Sequence, residues 1–283
     1  MDRVQAIMSR LSGSGSTFRA MTPREYAQFR ADSMNAAEGN RHLEDGYSCK
    51  ACKNKGYIVK VVEDQDGGFR QVCAECRCEQ VRRSILHMQR SGLKNIITDY
   101  TFEKFDAEED WQLALKTAAM SYARNPEGWF FLGGQSGCGK THLCTAICRE
   151  FLLAGRAVVY MLWRDDIVKI KAAATDSGEY SGMIDRYKKA PVLYIDDLFK
   201  AGRDERGNLG ISRADINVAF EIINYRAINP ELLTIISTEL SVDELVDIDE
   251  ATGGRIFEKS FANGISIARD RSRNYRTKKA VTV

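Results

Sequence analysis

The sequence predicts an α/β fold: a five-stranded parallel sheet with helices on both faces, preceded by a small cysteine-bearing module. Three observations carry this. From about Tyr100 onward, five apolar runs alternate with helical stretches: "WFFL", "AVVYML", "VLYID", "LLTIIST" and "ISIA". Runs of that length, rich in β-branched and aromatic residues and separated by helices, make a parallel sheet. The glycine-rich stretch "GGQSGCGKT" follows the first of them. Of the 8 cysteines in the 283-residue chain, five crowd into residues 49–78.

Gly134-Gln135-Ser136-Gly137-Cys138-Gly139-Lys140-Thr141 matches G-x-x-x-x-G-K-[ST] in full. Its glycines let the backbone turn tightly and aim successive N–H groups at phosphate oxygens. Lys140 supplies a charge for the β- and γ-phosphates, and the Thr141 hydroxyl can ligate Mg²⁺. The apolar "GWFFL" before the loop reads as a buried strand. "KTHLCTAICREFLLAG" after it reads as a helix that Gly155 stops. The N-terminus of that helix adds partial positive charge under the phosphates. The nucleotide-contacting set is thus Gly134, Ser136, Gly137, Cys138, Gly139, Lys140, Thr141 and His142. A chance glycine-rich turn does not explain strand, loop and helix in this order.

An ATPase also needs an acidic partner for Mg²⁺ and a group that positions water. "PVLYIDDLF" is an apolar strand ending in Asp196-Asp197. Asp196 would hold Mg²⁺, and Asp197 would orient the attacking water. The next strand, Leu232–Thr238, should lie beside these two, with Thr238 and Glu239 facing the γ-phosphate. "EATGGRIFEKS" then places Arg255 near the start of a helix. From there it can reach a neighbouring subunit's ATP as an arginine finger.

Upstream, "LSGSGSTF" within residues 1–20 reads as a flexible linker. "TPREYAQFRADSMNAAEGN" reads as a short helix, with Thr22 as N-cap, Pro23 in the first turn and Glu25 completing a capping box. It serves packing or partner binding. Next, "CKAC" (Cys49, Cys52) is followed about twenty residues later by "CAECRC" (Cys73, Cys76, Cys78). Two C-x-x-C pairs at this separation match a zinc ribbon, in which four thiolates surround one Zn²⁺. "GYIVKVVEDQDGGFRQV" between them reads as a β-hairpin with Asp66-Gly67-Gly68 at its tip. Five cysteines compete for four positions. Spacing selects Cys73 with Cys76, and a C-x-C pair selects Cys76 with Cys78. His42 and His87 are the outsiders. "VRRSILHMQRSGL" follows as a basic amphipathic helix that Gly92 stops.

At 44% hydrophobic and 28% charged residues, the chain has the composition of a soluble protein. A net charge of +2 does not by itself announce a nucleic-acid partner. No run is long and apolar enough to span a membrane, and the N-terminus lacks a signal-peptide core. Clustered cysteines beside a nucleotide site indicate a metal in a reducing compartment. A cytoplasmic protein with no membrane partner is the expectation.

These residues together resemble the AAA+ ATPases of the DnaC/DnaI type, bacterial and phage loaders of the replicative helicase. The likeness spans roughly Tyr47 to Arg276. Its more specific signs are the cysteine segment followed by "RRSILHMQRSGL", then "YTFEKF", "YIDDLF", "FEIINYRA" and "SRNYR". The resemblance implies ATP, Mg²⁺ and Zn²⁺ as cofactors. It implies an N-terminal region that grips a hexameric helicase, and an AAA+ domain that self-associates and binds single-stranded DNA. It gives Arg255 the finger role and makes Arg276 a late arginine near the nucleotide. It also favours Cys76 with Cys78. One departure stands out. Where such loaders end the fourth strand in Asn, this sequence has Glu239. An ionised acid cannot donate to a γ-phosphate, so that role is lost or passes to Thr238.

The expected division is a flexible N-terminus and short helix over residues 1–46, a zinc module with its linker helix over 47–96, and the AAA+ domain over 97–283. The tail "ARDRSRNYRTKKA" carries Arg269, Arg271, Arg273, Arg276, Lys278 and Lys279 for phosphates, with Tyr275 to stack on a base. "WRDDIVKIKAAA" and "DRYKK" are further sites for DNA contact. Two alternatives accompany the loader reading: an IstB-like transposition ATPase acting with a transposase on duplex DNA, and an ATP-latched adaptor that hydrolyses weakly.

Overall fold

The computed structural model describes residues 21–201 and 210–278. The flexible linker expected in residues 1–20 and the tail lysine Lys279 lie outside the described residues. Contacts divide the chain into two compact units. The first holds the described residues up to Asn40 together with Ser48–Cys76. The second holds Arg41–Tyr47 and the described residues from Arg77 onward.

The first unit is a helix on a hairpin. Helix α1 spans Pro23–Ala36, and Thr22 and Glu25 form the capping box at its start. Strands β1 (Tyr57–Glu63) and β2 (Phe69–Glu75) pair antiparallel, with Val59 opposite Cys73. Their turn closes through Asp64 N–H to Gly68 O at 2.8 Å. Polar side chains fasten the helix to the hairpin. The Asn35 amide donates to Val59 O at 2.8 Å and accepts from Val59 N–H at 2.9 Å, as another strand would. The Lys55 ammonium donates to the Met34, Asn35 and Ala37 carbonyls at 2.8–2.9 Å, satisfying helix-end groups that have no intrahelical partner.

The second unit opens with short α2 (His42–Asp45), α3 (Cys78–Arg90) and short α4 (Ile96–Asp99). Then follow α5 (Asp110–Arg124), β3 (Phe130–Gly134), α6 (Lys140–Leu153), β4 (Val159–Leu162), α7 (Trp163–Ala172) and α8 (Ser177–Lys188). The remainder is β5 (Val192–Asp196), α9 (Arg213–Ala227), β6 (Leu233–Ser237), α10 (Val242–Ile248), α11 (Glu250–Ser260), β7 (Gly264–Ile267) and short α12 (Tyr275–Lys278). The five strands from β3 onward form one sheet in the order β4-β5-β6-β3-β7. Every neighbouring pair is parallel. All five strand positions of β3 and of β5 are buried, as in a sheet covered on both faces. Trp129, Phe131, Met161, Leu193, Ile222 and Ile236 lie at the heart of one apolar cluster.

Two polar devices finish this unit. Helix α3 covers the free edge of β4: Val158 N–H donates to Ser84 Oγ at 3.2 Å, and His87 Nε2–H donates to Tyr160 O at 3.1 Å. An edge strand so covered no longer offers unpaired backbone to another chain. Burial, with nearby Arg186, lowers the His87 pKa, so the ring is neutral and held here. Arg226 of α9 is fully buried. It donates to the Thr234 hydroxyl at 2.9 Å and to the carbonyls of Tyr187, Lys188, Ala190 and Leu233 at 2.6–3.1 Å.

Candidate functional site

The order of the strands places a crevice at their carboxyl ends. β3 lies between β6 and β7; its own connection runs to β4 at the far edge, while that of β6 runs the other way, across β3 to β7, so the direction reverses between β3 and β6. Ligands of open α/β sheets bind at such a switch point. The glycine-rich loop occupies it. Gly134 has φ +96°, and a Cβ there would lie 2.0 Å from Ile267 O of β7. Only glycine allows the loop to leave between the two strands.

Around this loop is a cavity of about 550 Å³. Ser136, Gly137, Gly139, Lys140, Thr141 and His142 line it, with Asp197 and Glu239 opposite. The Lys140 ammonium folds back over the loop, donating to Gly134 O at 2.9 Å and Gln135 O at 2.7 Å. Burial lowers its pKa, with Glu239 and Asp197 among the charges acting the other way. The Cys138 thiol is buried and donates to Gln135 O at 2.9 Å. Burial raises its pKa, so this cysteine shapes the loop as a neutral thiol.

The acidic wall comes from the ends of β5 and β6. Thr141 Oγ1 donates to Asp196 Oδ1 at 3.2 Å, and Tyr160 OH donates to Asp196 Oδ2 at 2.9 Å. The Ser237 hydroxyl also donates to Asp196 Oδ1. Burial pushes this carboxyl above its ordinary range, against the pull of those hydroxyls. An oxygen pair from a hydroxyl and a carboxylate is the donor set Mg²⁺ takes beside phosphates.

Beyond Asp196 the backbone turns sharply. Asp197 and Phe199 both have φ +57°, a left-handed conformation that non-glycine residues rarely adopt. The turn is pinned to β6 by Leu198 N–H to Ser237 O at 2.9 Å and by Thr238 Oγ1 to Leu198 O at 2.7 Å. Thr238 Oγ1 also accepts from Leu240 N–H at 3.2 Å. Backbone groups therefore hold the Thr238 hydroxyl in both its bonding senses, and the residue shapes the turn. Glu239 accepts from Ser136 Oγ at 2.8 Å and lies 3.3 Å from the Lys200 ammonium.

The opposite end of the cavity is aromatic, lined by Tyr100, Phe105, His142 and Tyr275. His142 Nε2–H donates to Thr101 O at 2.8 Å, and the ring stands 5.5 Å from Tyr100 and 5.7 Å from Phe105. The chain after β7 crosses the loop. Asp270 N–H donates to Gln135 Oε1 at 3.0 Å, Tyr275 N–H to Gly137 O at 3.0 Å, and Tyr275 OH to Asp106 O at 2.5 Å. This crossing brings exposed Arg276 to the cavity rim.

Arg255 does not line this cavity. On α11 it stacks over Phe220 at 5.2 Å and lines a separate surface hollow with Ile228, Glu250 and Glu258. Four cations in the regions expected to meet DNA are paired within the chain. Arg269 meets Glu244 at 2.6 Å, Lys169 meets Asp166 at 2.9 Å, Lys171 meets Asp215 at 2.7 Å, and Lys189 meets Asp185 at 2.6 Å.

Among the described residues, one cysteine group can hold a metal. The ligand atoms of Cys49, Cys52, Cys76 and Cys78 all lie within 4.8 Å of one another, and all four residues are buried. Cys49 and Cys76 sulfurs are 3.9 Å apart, near the edge of a tetrahedron with about 2.3 Å metal–sulfur bonds. The turn from Cys49 is tightened by Cys49 N–H to Asn54 Oδ1 at 2.7 Å, and Gly56 N–H donates to Cys52 Sγ at 3.3 Å. Cys73 is exposed on β2 and lies outside the group, so C-x-C and not C-x-x-C supplies the second pair. The reason is the hairpin. Cys73 is still in register with Val59, and the chain turns toward the other thiols only after Glu75. Neither His42 nor His87 joins the group.

A phosphate loop between β3 and α6, an acidic pair ending β5, and this strand order define an AAA+ P-loop ATPase. The family model for IstB-like ATP binding proteins matches residues 71–249. The phage-like element PBSX protein XkdC of Bacillus subtilis (strain 168) is 30% identical over 224 residues, covering 75% of this chain and 79% of that protein. The replicative helicase loader DnaC of Escherichia coli (strain K12) is 26% identical over 140 residues, 48% of this chain and 57% of that protein. The crystal structure of the DnaC helicase loader aligns with a TM-score of 0.49 at 22% identity, over 62% of this chain and 98% of that one. The chain belongs to the IstB-like ATP-binding family.

Proposed function

We propose that this chain is an ATP-dependent loader that binds a hexameric replicative helicase and delivers it onto single-stranded DNA. The observation that carries the reading is a complete phosphate-loop site in a chain that also brings four buried cysteines together as a metal would need. A module whose metal positions are all filled by protein suits recognition better than chemistry. Its helix α1 holds Tyr26 and Phe29 exposed, side chains that favour a protein partner. The partial likeness to a helicase loader points the same way.

Within this reading the loop amides and Lys140 hold the β- and γ-phosphates. Thr141 and Asp196 hold Mg²⁺, and Asp197 orients water. Arg276 meets the nucleotide from the rim. Arg255 acts on ATP of a neighbouring subunit, because its own cavity is out of reach. The four thiolates take Zn²⁺, which would staple the two cysteine turns together. Pull-down of a replicative helicase, with and without ATP, combined with single-stranded DNA anisotropy, tests the proposal. Retention of helicase is the expected result. Binding to duplex DNA alone, with no helicase retained, would favour a transposition ATPase. The description of the matched family supports that second reading.

A further inference from the structure

We propose that Lys200 is the cation that reads the γ-phosphate, and that Glu239 is its positioning residue. The inference rests on the ATP-site reading above and deepens it. Lys200 stands where the rigid turn after β5 meets the end of β6. Its ammonium is 2.9 Å from Asp197 Oδ2 and 3.3 Å from Glu239 Oε1. Both partners and Lys200 itself line the nucleotide cavity, across from Lys140.

Two carboxylates, Asp197 and Glu239, line the cavity where the terminal phosphate would sit, and Asp196 is buried at the end of β5. Lys140 and a Mg²⁺ at Asp196 would meet part of the triphosphate's charge, and a cation between Asp197 and Glu239 offsets the repulsion that those two carboxylates add. Lys200 supplies the cation. Burial opposes its charge, but Asp197 and Glu239 outweigh burial and raise its pKa. Burial likewise opposes ionisation of Glu239, but the Ser136 hydroxyl and Lys200 keep its pKa below the ordinary value. Glu239 accepts hydrogen bonds here and donates none. Its chemistry is to hold Lys200 by charge and Ser136 by hydrogen bond, which ties the β6 end to the phosphate loop.

An ammonium has three donors. It keeps Glu239 and exchanges Asp197 for a γ-phosphate oxygen, which frees the Asp197 carboxylate for water. A diphosphate lacks that oxygen and offers no such exchange. The turn that carries Lys200 is fixed by two left-handed residues and two bonds to β6, so only the side chain moves.

The test measures binding of ADP and of β,γ-methylene ATP by calorimetry, with Mg²⁺, on the full chain, alongside steady-state turnover. Lys200→Met should weaken the triphosphate analogue by about tenfold or more, leave ADP within about twofold, and lower kcat. Lys200→Arg should recover part of the triphosphate preference. Glu239→Gln should keep ADP affinity and lower kcat more than it raises KM. Retained ADP affinity shows that each variant is folded. An unchanged ratio of the two affinities in Lys200→Met would overturn the proposal, as would faster turnover, which would make Lys200 a brake on Asp197. Lys140→Ala separates the two levels. If it binds both nucleotides as the parent does, the ATP-site reading itself fails.

Discussion

The two units solve the problem of staying folded by different means. The larger one buries a continuous apolar cluster that includes Trp129, Phe131, Trp163, Leu193 and Ile236. Burying each large apolar side chain contributes about 1.5–3 kcal/mol, so no single residue carries the fold. The smaller unit has little of this. Its buried apolar residues are Ala27, Ala31 and Val59 besides cysteines, and its joints are the polar contacts of Asn35 and Lys55. A small unit so built depends on a metal or on a few irreplaceable bonds. Failure should therefore be local and abrupt in one unit, graded and global in the other.

The largest effect expected is metal removal. A structural Zn²⁺ contributes on the order of 10 kcal/mol in small zinc modules. Elemental analysis should find one zinc per chain, and chelation, or Cys49→Ser, should abolish it and expose residues 21–76 to protease. ADP binding by calorimetry should persist. Loss of ADP binding together with zinc would break the comparison. The converse is Phe131→Ala, expected to destabilise the larger unit by about 3–5 kcal/mol in denaturant titration. Zinc content should not change. Arg226→Leu sits between these extremes. It leaves several buried carbonyls without their donor, and roughly 3 kcal/mol of lost stability is expected.

What was legible in the sequence follows the same divide. The strands, the phosphate loop and the Asp196-Asp197 pair were readable, because local pattern and tertiary role coincide there. The basic stretch "VRRSILHMQRSGL" was readable as a helix but not as the cover of an edge strand. Ser84 and His87 reach Val158 and Tyr160 more than seventy positions away, and no local spacing encodes that. The position of Lys200 is hidden for a similar reason. Its signal was a lysine three residues beyond Asp197 and an acid at the end of the next strand, which acquire meaning only when β5 and β6 lie side by side. Thr238 looked like a phosphate contact from its place at the strand end. The left-handed turn, which claims its hydroxyl, could not be read from "DDLF".

The smallest effect sharpens the comparison most. Spacing selects Cys73 and the family resemblance selects Cys78, and both substitutions to serine are chemically the same. Cys73 is exposed on the hairpin, where its neighbour across the strands is Val59 and a serine hydroxyl meets water. Surface changes of this kind fall within about 0.5 kcal/mol. Cys78 is buried with three other thiols. Serine there replaces a soft thiolate by a neutral hydroxyl and leaves Zn²⁺ with three sulfur ligands. Cys73→Ser should thus keep one zinc per chain and the parent's protease resistance, while Cys78→Ser should lose both. Competition against a chromophoric chelator measures the difference directly. Equal zinc affinity in the two variants would mean that the hairpin can slide to present either cysteine, and that the smaller unit is held by its metal with no fixed register of its own.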